Sequence, residues 1–245
     1  MPEPAIDEKT CAAAVCAAKN CVWETGIKEV CGTEGRAGTI TEMKLRLVKC
    51  PEYRWGLLSF HSTYGTMQKF YKELSGYAKI TKVEVGAADW FSKSCCRLLQ
   101  KEEKWTQNLK WVTSVPKEAG YILWTELWGE EEEKLYTILE HALEILEAEN
   151  DFAEQTLAAA NETEFSRIDI FRHTITEAAN FYQSAESVLL DWYAEENARP
   201  IAETITELLQ DAEYAFLGHM ARGMMTLCVF DDAGKRTEQI QRIHI

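Results

Sequence analysis

From about Glu126 to about Leu227 apolar residues recur three and four apart almost without interruption. In the span Lys134 to Ala160 they fall at Leu135, Ile138, Leu139, Ala142, Ile145, Leu146, Phe152, Ala153 and Leu157, the spacing of a helix with one buried stripe. Acids fall at Glu140, Glu144, Glu147, Asp151 and Glu154, and at about 100° per residue their stripe points away from the apolar one. Glu149 alone projects into the apolar stripe, where a carboxylate needs a partner, the end of the element or a proton. A second stripe runs through Ile168, Phe171, Ile175, Ala178, Tyr182, Ala185, Leu189 and Trp192. A third predicted helix starts near Pro200 and buries Ile201, Ile205, Leu208, Ala212, Ala215, Phe216 and Met220. Asn161 followed by Glu164 fits a capping box, so the pattern predicts a turn there and an antiparallel pair of helices, the alternative being one helix running straight through with a four-residue slip in its stripe.

Before Gly129 the period is different. Met43, Leu45 and Leu47 alternate with Lys44 and Arg46, which predicts a half-buried strand, and Tyr53 to Phe60 reads as a second. Met67, Phe70, Tyr71 and Leu74 predict a short helix ending at Gly76. Residues 78–85 read as a strand and 88–104 as a helix, with Phe91, Cys95, Leu98 and Leu99 inside. Residues 109–115 and Tyr121 to Trp128 complete the set as strands. At the other end, Leu227 to Phe230, the turn at Asp231 to Gly234 and Thr237 to Ile245 read as a β-hairpin. The expected fold class is therefore α+β: a small mixed α/β-layer region, then an acidic antiparallel helical bundle, then a C-terminal β-hairpin. The expected organisation is a cysteine-rich segment over 1–38, an α+β domain over 39–128, the acidic helical domain over 129–227 and the hairpin over 228–245.

Composition adds a folded protein of 245 residues with 46% hydrophobic content and a net charge of -14. The charge is unevenly placed: residues 126–213 hold 23 acids against 4 bases, and residues 1–125 hold 14 acids against 18 bases. No apolar run reaches the roughly 18 residues that span a bilayer. The start MPEPAIDEKT lacks a basic region followed by an apolar core, so a cytoplasmic location and no membrane partner are expected.

No residue pattern carries a known chemistry. Cys11, Cys16, Cys21 and Cys31 have a spacing unlike zinc or ferredoxin sites, and Cys95 and Cys96 read as one buried and one exposed helix residue. No histidine has a Glu three residues before it, so the di-iron pattern of acidic bundles is missing. No catalytic residue, metal or cofactor is assigned. Glu149, His61 and Cys95 stand out as the first residues to test for an enzyme. His61 follows a strand, beside hydroxyls, and otherwise reads as loop surface.

Two other readings follow from charge. The first is a non-enzymatic interaction or regulatory protein whose acidic region engages a basic protein partner. Glu140, Glu144, Glu147, Asp151 and Glu154 would form its contact row. The second is nucleic-acid binding by the interleaved basic and aromatic residues Lys44, Arg46, Arg54 and Trp55. A positive charge this small beside a large acidic region argues against that reading. Homo-oligomerisation stays open, as does an enzyme with a site assembled from scattered residues.

Overall fold

A computed structural model describes residues 49–101, 103–107, 109, 115–182, 214–220 and 224–229. Every element below belongs to the unit Glu52–Ile245. The expected cysteine-rich segment, the strand at Met43 to Leu47, the helix from Pro200 and the final hairpin strand lie outside the described residues.

The described strands form one antiparallel six-stranded sheet: β1 (Tyr53–His61), β2 (Glu84–Ser92), β3 (Tyr121–Gly129), β4 (Leu157–Ala159), β5 (Tyr214–His219) and β6 (Met224–Val229). Their order across the sheet is β4-β1-β3-β2-β5-β6. The helices are α1 (Tyr64–Thr81), α2 (Ser94–Leu99), α3 (Glu103–Thr106), α4 (Glu132–Ala148) and α5 (Glu162–Tyr182).

Both faces of the central strands are covered. On one face α1 and α4 pack Met67, Phe70, Leu74, Leu135, Ile138 and Ala142 against Leu57, Trp90, Leu123 and Leu127. On the other, α2 and α5 pack Leu98, Leu99, Phe165, Phe171 and Ile175 against Leu58, Phe60, Phe91, Ile122 and Trp124. This explains why β1 and β3 read as nearly continuous apolar runs with little alternation.

α1 starts where Thr63 accepts the Thr66 N–H and Thr66 Oγ1 accepts the Thr63 N–H, a reciprocal cap. It runs through Gly76 to Thr81 and stops at Lys82, which takes the left-handed conformation at φ 64°. The expected stop at Gly76 and strand over 78–85 are corrected accordingly. Glycine lowers helix propensity by about 1 kcal/mol, and the buried row Met67, Phe70, Leu74 and Ala78 outweighs that.

β2 runs through the region expected to begin a helix at residue 88. A β-bulge between Val85 and Ala87 explains the misreading. The extra residue lets Val85 and Ala88, an odd spacing apart, face the same α1/α4 core. Gly86 sits at the bulge because the Trp128 indole lies over it; an added Cβ would come within 2.3 Å of that ring.

The apolar stripes of α4 and α5 are buried as expected, at Leu135, Ile138, Ala142, Ile145 and Leu146 and at Ile168, Phe171, Ile175 and Ala178. The expected bundle is not what they build. The two helices lie on opposite faces of the sheet, and each buries its stripe against strands.

Helix α4 ends at Ala148, twelve residues before the expected end at Ala160. A residue at φ 53°, Asn150, breaks it; a 3₁₀ turn (Ala153–Gln155) and β4 follow. The turn at Asn161 is present: Asn161 Oδ1 accepts the Glu164 N–H at 3.0 Å, and Glu164 accepts the Ala160 N–H. Ala215 and Phe216, expected in a helix, lie in β5. β6 pairs with β5 in a hairpin ahead of the expected one.

Candidate functional site

Four neighbouring strands each place one charged or ionisable residue on the α2/α5 face. They are Arg54 on β1, Glu126 on β3, Asp89 on β2 and His219 on β5. The row crosses the sheet, and α5 adds Arg172 and Asp169 above it. The side chains of Asp89 and Glu126 are only 6% and 5% exposed. Isolated carboxylates in such a place would be costly, and each here is compensated.

Glu126 Oε1 accepts from Arg54 Nε and, at 2.6 Å, from the Trp128 indole N–H. Arg54 in turn lies 3.9 Å over the Phe165 ring. Asp89 Oδ2 pairs with Arg172, which also bonds Asp169 at 3.0 Å and approaches Glu126 at 3.9 Å. Burial disfavours the Arg172 guanidinium, but Asp89, Asp169 and Glu126 outweigh it and hold its pKa above the ordinary arginine value.

Asp89 Oδ1 meets His219 Nδ1 directly across the β2–β5 pair. The His219 side chain is 49% exposed, and among the described residues its Nε2 meets no partner. A carboxylate oxygen accepting from Nδ1–H fixes the tautomer that leaves the Nε2 lone pair available. This is the arrangement of a histidine set to accept a proton from a bound molecule.

A second histidine–carboxylate pair lies on the opposite face. His61 closes β1 and is fully buried, with its ring 5.0 Å from Phe70. Its Nδ1 lies 3.0 Å from Asp151 Oδ2, and its Nε2 2.9 Å from Ser59 Oγ. The connectivity is that of a Ser-His-Asp triad. Ser59 and His61 are wholly enclosed, so the chain acts as a buried brace. His61 is thus corrected from loop surface to core.

The sequence-derived candidates scatter. Glu140, Glu144, Glu147 and Glu154 are exposed, but the end of α4 turns Asp151 inward to His61, so the five do not form one row. Glu149 stands at the end of α4 rather than in its stripe, and ion-pairs with Lys69. Of the nucleic-acid set, Lys44 and Arg46 lie outside the described residues. Arg54 is paired with Glu126 and Trp55 is buried, so neither offers a phosphate ligand or a stacking face.

Cys95 and Cys96 are both buried, contrary to the expected one in and one out. Cys95 Sγ donates to the Phe216 carbonyl at 3.4 Å. Burial pushes the Cys95 thiol well up, Cys96 up to about 12 and Cys228 up to about 11. Of the four described cysteines, therefore, only exposed Cys50 should react with a thiol reagent at pH 8 in the native protein. Labelling followed by peptide mass spectrometry checks this.

Sequence reasoning missed Asp89, Glu126, Arg172 and His219. The available signal was a lone acid inside each apolar strand, in the stretches Ala87 to Ser92 and Tyr121 to Gly129. Among the described residues no helix is long and apolar enough to cross a membrane, and no cluster of three metal-ligating side chains occurs.

No protein-family model matches the chain, and no curated protein does. Among solved structures, it is similar to 4-ethylphenol oxidase from Gulosibacter chungangensis in its isoeugenol complex. The TM-score is 0.50 at 12% identity, over 81% of this chain and 44% of the oxidase. Alkyldihydroxyacetonephosphate synthase is also similar, at 11% identity and a TM-score of 0.47, over 81% of this chain and 40% of the synthase. The chain thus spans less than half the length of either protein, and at 12% identity its likeness to the oxidase is one of fold. It corrects the expectation of a non-enzymatic interaction or regulatory protein. That reading rested on an acidic bundle, whereas the chain folds as part of an oxidase does, with its helices spread over two faces of a sheet.

Proposed function

We propose that the chain is one part of an enzyme of oxidase-like architecture and that it handles a small molecule with an acidic hydroxyl, such as a phenol, at His219. The observation that carries this reading is the Asp89–His219 pair, a buried carboxylate bound to Nδ1 of a half-exposed imidazole. His219 is the catalytic residue, taking the hydroxyl proton at Nε2. Asp89 holds the ring and offsets the charge of the imidazolium that forms. Arg172 positions Asp89 through their ion pair. The fold shared with an oxidase supports an enzymatic role, and the isoeugenol bound to that oxidase suggests a probe.

The test is a titration of ¹⁵N-histidine-labelled protein with isoeugenol. The His219 ring resonances should shift saturably, and His219→Gln should weaken binding at least about tenfold, the loss of one charge-assisted hydrogen bond. Binding that leaves the His219 resonances unmoved, or that survives His219→Gln, overturns the reading.

A further inference from the structure

The buried pair His61–Asp151 joins two segments far apart in sequence. Asp151 Oδ2 takes His61 Nδ1, and Asp151 Oδ1 accepts the Ser62 N–H at 3.2 Å and the Ser62 hydroxyl at 3.1 Å. One carboxylate thereby closes the end of β1 and the entry to α1. Beyond Asp151 the chain makes the 3₁₀ turn, pairs only Leu157, Ala158 and Ala159 with β1, and enters α5. β4 has three residues and, among the described strands, lies at an end of the sheet; Asp151 ties this segment to β1 and α1 beside the packing of Phe152, Leu157 and Ala159. We propose that His61 and Asp151 form an acid-sensitive latch: opening of the segment 151–160 that leads into α5 exposes His61 to water, and proton uptake by the exposed imidazole holds the segment open.

In the closed form neutral His61 donates Nδ1–H to the carboxylate and accepts the Ser59 hydroxyl at Nε2. Burial holds His61 below the ordinary imidazole value, and the bond and charge of Asp151 only partly oppose this. Burial pushes the Asp151 carboxyl up, but His61 and the Ser62 bonds outweigh it and hold it below the usual carboxylate range. Opening frees an imidazole of ordinary pKa, about 6.5, which binds a proton more readily than the closed form does. The open form therefore binds more protons, and closure weakens as pH falls below about 6.5; Asp151 adds to the loss only below about 4.

The other polar and charged groups at this junction are Ser59 and Ser62, Tyr121 opposite His61 on β3, Tyr64 at the start of α1, and the Lys69–Glu149 ion pair between α1 and the end of α4. His61 is the only imidazole there among the described residues. Because α5 carries Asp169 and Arg172, opening would also disturb the Asp89 row. That consequence rests on the function proposed for His219; the opening itself does not.

Hydrogen exchange at pH 5 and pH 7, corrected for intrinsic rates, tests the latch. Opening of residues 151–160 should rise up to about 25-fold at pH 5, the limit for a closed form that refuses the proton. Exchange in β3 should stay unchanged. His61→Asn keeps an N–H toward Asp151 and cannot titrate, so the acid response should vanish. Should that variant fail to fold, the ¹⁵N titration of His61 in the unaltered protein decides: ring protonation must coincide with the opening. Equal opening at both pH values, an acid response retained by His61→Asn, or a protonated His61 beneath a protected 151–160 each overturns the latch. Acid opening in a protein whose His219 ignores isoeugenol refutes the site and leaves the latch standing.

Discussion

The two faces of the sheet each carry a histidine–carboxylate pair, and the pairs differ in what surrounds them. On the α1/α4 face His61 and Asp151 are enclosed, and every ring nitrogen and carboxylate oxygen has a protein partner. On the α2/α5 face Asp89 is equally enclosed, but its histidine opens to solvent on one side. The same two residue types thus do different work. Full satisfaction without access gives a structural tie sensitive to protons. Partial satisfaction with access leaves a nitrogen for a ligand. The difference does not come from strand position, since β1 and β5 each lie one strand from an end of the described sheet; it comes from cover, for Phe70 packs on the His61 ring whereas half of the His219 side chain stays exposed.

The strongest way to break the comparison is to remove the cation of the α2/α5 face. Arg172→Met leaves Asp89 and Glu126 buried with less compensation. It should cost about 3 kcal/mol, the lower end for breaking a buried pair, because a quarter of the Arg172 side chain is already in water. Urea denaturation at pH 7 measures it. Combining it with Asp89→Asn should recover part of the loss, since the neutral amide no longer needs the guanidinium. An additive double variant would show that Arg172 acts on the row as packing alone.

On the α1/α4 face the corresponding change is Asp151→Ala. It removes the acceptor of His61 Nδ1–H and of the Ser62 N–H, so about 2 kcal/mol is expected from donors left without partners. No ion is stranded if His61 is neutral, which is why this loss should be the smaller. A loss larger than that of Arg172→Met would mean that His61 is charged in the closed form, and the contrast between the faces would reverse.

The sequence made some of this legible and hid the rest for identifiable reasons. The stripes of α4 and α5 and the strands β1 and β3 follow from spacing alone, because each buries one continuous set of side chains. Which surface buries a stripe is not written in the stripe: α4 and α5 satisfy the pattern of a bundle, yet each meets the sheet instead. β2 was lost because the bulge at Gly86 breaks its alternation. β5 was lost because Ala215, Phe216 and Met220 also fit a helical period. The site was lost with them, since Asp89 and His219 sit on the two strands that were misread. His61 stood out as an oddity, but its partner lay 90 residues away, in a stretch that read as helix.

The smallest expected effect concerns the acidic face of α4, which neither pair touches. Glu140, Glu144 and Glu147 are exposed there, spaced four and three apart with no lysine among them, although His141 approaches Glu144 at 3.4 Å. Like charges at that spacing oppose a helix by a few tenths of a kcal/mol per pair. Replacing Glu144 alone by lysine converts both like pairs into opposite ones. It should therefore leave stability unchanged or raise it by well under about 1 kcal/mol, with the gain shrinking at high salt. The same variant should leave the acid response of residues 151–160 and the His219 resonances where they were. A marked destabilisation would show that Glu144 has a role in the fold that its exposure conceals. A shift in either histidine would show that the two faces are coupled through α4 and that the contrast between them is one of degree.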